Sequence, residues 1–141
     1  IPTATEIPVD YRRYINEMRA VIDDVMVGRG AARLLETFWA DVRATGTTNG
    51  CSQPIDDADF ADYTGLPVED AARDQRLGAL AFNLNSALAL ARDSLASFRQ
   101  GCEAGNFSGV LNVGQQQIQQ AISAFELVTA QLDALQSEVS R

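Results

Sequence analysis

Asp56, Asp57, Asp59 and Asp62 form the densest group of potential ligands in the chain. Hard oxygen donors gathered in a loop suit calcium. Their spacing departs from that of an EF-hand. With Asp57 and Asp59 as first and third ligands, Ala61 falls fifth, Asp62 takes the place of the turn glycine, and Val68 stands where a bidentate glutamate belongs. The four are therefore read as solvated loop and cap residues that can meet a cation or a basic partner surface through charge complementarity. No metal site and no cofactor are expected.

The remaining candidates for covalent chemistry are Cys51 and Cys102. They do not form a Cys-x-x-Cys motif, and an even pair suits a disulfide in an oxidising compartment. Histidine and lysine are both absent, so all 11 cationic side chains are arginines. That removes the usual general base at neutral pH, the commonest metal ligand and Schiff-base chemistry. A serine or cysteine nucleophile lacks its histidine partner, and a bundle di-iron site lacks its Glu-x-x-His pairs. No glycine-rich dinucleotide motif or phosphate-binding loop occurs. Carboxylate pairs of the glycosidase kind need only Asp and Glu, but no spacing singles one out. The chain is expected to have no catalytic activity, an unrecognised carboxylate-based enzyme being the third reading.

Charge narrows the partners. A net charge of −8 argues against nucleic acid and anionic membrane surfaces, both of which require a basic face. No apolar run approaches the ~18 residues of a membrane span. Residues 1–8, rich in proline and threonine, read as an extended tether, with an anchor before Ile1 as one possibility. Residues 9–141 read as a single helical-bundle domain, since 141 residues suffice for one core.

Helical periodicity dominates that domain. Leu111, Gly114, Ile118, Ala121, Phe125, Val128, Leu132, Leu135 and Val139 recur at alternating steps of three and four, with the Gln115–Gln120 tract mostly on the polar side. Leu80, Leu84, Leu88, Ala91, Leu95, Phe98 and Cys102 share one face of the preceding helix. Gly101 to Asn106 holds the stop and cap signals between the two, which predicts an antiparallel hairpin. The first turn of the earlier helix, after Leu66-Pro67, carries Glu69 and Asp70 where the helix dipole favours anions.

In the first third, Asp10 is the expected N-cap. Tyr14, Met18, Val21, Val25, Gly28, Ala32, Leu35, Trp39 and Val42 hold one phase through Gly28-Arg29-Gly30. Unbroken phase favours one continuous helix from Asp10 to Ala44, with Gly28 as a close-packing position. The alternative is a break at Gly28–Gly30, giving four helices instead of three, because two glycines inside a helix cost about 2 kcal/mol. The expected fold is thus all-α, an elongated bundle of three long helices with a partly helical crossover over residues 46–67. A Cys51–Cys102 disulfide requires the first and second long helices to run parallel. The crossover must then return about 50 Å along the bundle and lay Phe60, Tyr63 and Leu66 into a groove. An alternating up-down bundle would separate the cysteines.

Trp39 lies on the apolar stripe and is expected in the core, while Asn83 and Asn85 stand among alanine and leucine and need partners if buried. The functional expectation is an extracytoplasmic interaction or scaffold module, secreted, periplasmic or lipid-anchored, with a protein partner or self-assembly. The rival is a sensory domain holding a small ligand between helices in a cavity lined by Trp39 and Asn83. An apolar cavity with converging polar groups would favour the rival; a closed core beneath an exposed apolar patch would favour protein partners.

Overall fold

A computed structural model describes residues 8–53 and 55–140. Their elements are α1 (Tyr11–Met26), α2 (Ala31–Thr45), α3 (Val68–Arg73), α4 (Gln75–Ala104) and α5 (Leu111–Val139), with 3-10 turns at Asn49–Ser52 and Asp57–Phe60. The fold is an all-α bundle, with no strand among the described residues. The tether expected over residues 1–8 falls almost wholly outside the described residues.

The hairpin of α4 and α5 is the frame. Leu80, Leu84, Leu88, Ala91, Leu95 and Phe98 of α4 are buried against Gly114, Ile118, Ala121, Phe125, Val128, Leu132 and Leu135 of α5, as their periodicity predicts. Removing a Leu or Phe side chain of this kind from water contributes roughly 1.5–3 kcal/mol. The turn is closed by Gly105, which at φ 65° adopts the left-handed conformation and donates its N–H to the carbonyl oxygens of Cys102 and Gly101. At the other end the long helix does not begin near Glu69. Asp74 is extended (φ −141°, ψ 105°), so the chain forms the short α3 first and restarts as α4, with the Asp74 carboxylate accepting from the Arg76 N–H.

The first helix is not continuous. It breaks over Val27–Gly30, where Gly28 adopts φ 61°. Gly28 is exposed and touches nothing where a side chain would be, so it is a turn residue and not a close-packing one. The close approach belongs to Gly30, where a Cβ would collide with the backbone of Val25. Phase survives because α1 and α2 lie end to end along α5 in the same direction. Arg19 of α1 reaches Asp133 and Gln136, Arg33 of α2 reaches Glu126, and Arg43 reaches Gln115 and Asn112. Two segments facing one partner helix must show it the same stripe, whether or not a turn intervenes.

The segmented rod therefore runs parallel to α4, and a Cys51–Cys102 disulfide joins their ends with Cα atoms 5.6 Å apart. The connection returns along α4. Arg99 donates to the Ile55 carbonyl, Arg92 to the Phe60 carbonyl, and Asn85 exchanges hydrogen bonds with the Tyr63 N–H and carbonyl. Phe60 and Tyr63 are buried in the core and Leu66 packs against it.

Candidate functional site

The acidic loop residues do not converge on a common point. Asp59 accepts from the Asp56 N–H, while Asp56 and Asp57 face Arg99 and Asp62 faces Arg92. The arginines that carry the crossover backbone thus also hold the carboxylates of Asp56, Asp57 and Asp62, and all four aspartates remain exposed. No three Cys, Asp or Glu side chains are placed to hold a metal ion among the described residues.

Trp39 and Asn83 lie apart. Trp39 is fully buried, with its ring against Phe98 and Phe107 at centroid distances of 5.4 and 6.0 Å. Its Nε1–H donates to Ser94 Oγ at 2.8 Å, and the Ser94 hydroxyl donates to the Gly114 carbonyl at 2.7 Å. This relay ties α2, α4 and α5 together and satisfies the polar atoms it buries. Asn83 instead sits on the far side of the hairpin and donates to Gln131 at 3.3 Å. It lines an open groove of about 280 Å³ with Arg76, Leu80, Gln131, Leu135 and Glu138.

At the end of the bundle away from the disulfide, each of the three tyrosines donates its hydroxyl to a carboxylate: Tyr11 to Asp74 at 2.6 Å, Tyr14 to Asp70, and Tyr63 to Glu17 at 2.7 Å. Arg76 bridges Asp74 at 2.7 Å and Glu138 at 2.6 Å. The Arg76 contact holds the Asp74 carboxyl well below the usual carboxylate range, overcoming burial, and the Tyr63 hydroxyl lowers Glu17. Burial, then the Glu17 carboxylate, pushes Tyr63 far upward. These pairs clamp α1 to α3 and the α3–α4 junction, and the crossover to α1, and each partner is turned toward the other.

The most distinctive surface is the outer side of the hairpin. Along its seam, Arg76, Asn83, Leu90 and Ser97 recur at steps of seven on α4, opposite Glu138, Gln131, Ala124 and Gln117 on α5. The first, second and fourth of these pairs are joined by side-chain contacts. Beyond the seam lies a face with Phe82 at 71% exposure, Leu127 at 58% and Val113 at 55%. Its other positions are alanine, serine and glutamine, with Asp93 among them. Other charges are kept off it. Arg92 and Arg99 turn to the crossover, Glu126 and Asp133 to α2 and α1, and Arg76 and Glu138 pair at one end. By helical register, Asp93 is the single charged residue on the outward face between Arg76 and Glu103.

Sequence reasoning passed over Phe82, Leu127 and Val113 because it followed the apolar stripes. The available signal was the reverse one, large apolar residues that fall off both stripes. Within the Gln115–Gln120 tract, Gln116 and Gln120 occupy uncharged positions on this face. No protein-family model matches the chain, and neither curated proteins nor solved structures yield a match.

Proposed function

We propose that this chain is a non-catalytic interaction or scaffold module that works outside the cytoplasm and docks a protein partner on the outer face of α4 and α5. The observation that carries the reading is the segregation of charge. In a chain with 21% charged residues, one helical face stays nearly neutral while exposing a phenylalanine and a leucine. A weakly charged helical face that exposes large apolar side chains suits a contact surface, and aromatic anchors dominate the energetics of interfaces. The cystine is compatible with an extracytoplasmic setting.

A small-molecule role would use the groove at Asn83. Its polar side chains are already paired with one another, which leaves no converging polar groups free to orient a ligand and favours the protein-docking reading.

Site-specific photo-crosslinking in the native host tests it. A photoreactive phenylalanine analogue at Phe82 or Leu127 is expected to give protein adducts, and the same group at Ala20 on α1 is expected to give none. Absence of adducts from both Phe82 and Leu127 would overturn the reading.

A further inference from the structure

We infer that the occupant of the outer α4–α5 face is a second copy of this chain, packed hairpin against hairpin about a two-fold axis. This rests on the docking role proposed above and names its partner. Three observations point to it.

The first is electrostatic. Each copy carries −8, so two copies repel wherever their acidic surfaces meet. A nearly neutral face lets like-charged copies approach with little opposing field, whereas a basic partner would find few carboxylates there to pair with. Asp93 is the only such group between Arg76 and Glu103, since the other helix charges are engaged at the inner edges or at the ends.

The second is shape. An isologous contact requires a patch complementary to itself. Large side chains at Phe82 and Leu127 stand beside Ala79, Ser86, Ala130 and Ala134. Small residues next to protruding ones allow the ridges of one hairpin to fit the grooves of an identical one.

The third is area. The 30 residues of α4 span about 45 Å, and two helices side by side at 8–10 Å separation present a face roughly 20 Å wide. The resulting outline of about 900 Å² is large enough to hold the ~800 Å² per partner that a standard stable interface buries.

Analytical ultracentrifugation of the purified, disulfide-intact chain tests the assignment, with circular dichroism melting to verify that each variant folds. A reversible monomer–dimer equilibrium is expected, with a dissociation constant raised about tenfold or more by Phe82→Asp combined with Leu127→Asp. Val68→Asp, at an equally exposed apolar residue off this face, should leave it unchanged. Added salt should leave association unchanged or strengthen it, because it screens the repulsion of the acidic copies. A strictly monomeric chain up to millimolar concentration, a dimer indifferent to the paired substitution, or a dimer dissolved by salt would each overturn the proposal. If the chain is monomeric yet crosslinks from Phe82 to another protein, self-pairing fails while the docking role stands. If it is monomeric and gives no adducts, both fail.

Discussion

The indole of Trp39 on α2 occupies the space that a side chain at Gly114 on α5 would need. Gly114 therefore sits in the middle of an apolar stripe, where helix propensity alone would prefer alanine by about 1 kcal/mol. Adding that methyl group would drive the ring into Phe98 and Phe107 and disturb the hydrogen bond to Ser94. Gly114→Ala should thus destabilise the fold by roughly 1–3 kcal/mol, the usual cost of overpacking. Chemical denaturation followed by circular dichroism, which also reads variants lacking the tryptophan, measures it. Combining Gly114→Ala with Trp39→Leu should cost less than the sum of the single changes, since the pair shares one volume. Simple additivity would show that the close approach carries no energy.

Ser94 is the hinge of the same relay. Ser94→Ala leaves the indole N–H of Trp39 buried without an acceptor, at a cost of about 1–3 kcal/mol. The same substitution in a Trp39→Phe background should be close to neutral, because no donor then remains to be satisfied. An equal loss in both backgrounds would refute the relay.

The turn at Gly28 makes a conformational prediction. At φ 61° a β-branched residue is strained, whereas asparagine enters this region more readily. Gly28→Val should destabilise by about 1–2 kcal/mol and Gly28→Asn by much less. In a continuous helix both valine and asparagine would improve on glycine's propensity, and neither variant would destabilise. Thermal melts of the two variants decide.

Much of this architecture was legible because it follows from periodicity. Leu84, Leu88, Phe125 and Leu132 advertise the hairpin by spacing alone, and pairing Cys51 with Cys102 dictates the parallel rod and the returning crossover. The break at Val27–Gly30 was obscured by the same regularity, because α1 and α2 face one helix and so share one phase. The split at Asp74 was hidden by good helix-forming neighbours on both sides. The outer face was the least legible part. It is defined by where arginines such as Arg92 and Arg33 direct the surrounding charges, and those directions depend on tertiary pairing.

The disulfide closes a ring between residues 51 apart in sequence. Loop-closure entropy assigns it about 4 kcal/mol, chiefly by restricting the unfolded chain. Cys51→Ser with Cys102→Ser should lower stability by that order while leaving the helical signal of the folded protein intact, since the crossover is also held by Arg92, Arg99 and Asn85. Loss of helicity in the native baseline would show instead that the bridge is needed to form the bundle.

Stability should be flat across the neutral range and fall at both extremes. Histidine and lysine are absent and both cysteines are in the disulfide, so no side chain has an ordinary pKa between about 5 and 8. On the acid side, Asp74 and Glu17 are held below their usual values by Arg76 and Tyr63 respectively. The unfolded chain then binds protons first. The stabilisation they provide is complete above about pH 5 and is lost as the pH drops through the unfolded carboxylate range near 4 toward the lower folded values. On the alkaline side, Tyr63, Tyr11 and Tyr14 are raised, Tyr63 chiefly by burial and the others chiefly by the carboxylates that accept their hydroxyls. Their contribution is complete below the unfolded value near 10 and is lost as the pH rises beyond it. Urea midpoints measured against pH should trace a plateau with two falling limbs. Asp74→Asn should lower the plateau and shallow the acid limb, and Tyr63→Phe should do the same on the alkaline side. A steep slope between pH 5 and 8 (about the plateau's limits) would contradict the assignment of these tyrosine–carboxylate pairs as the groups that set the response.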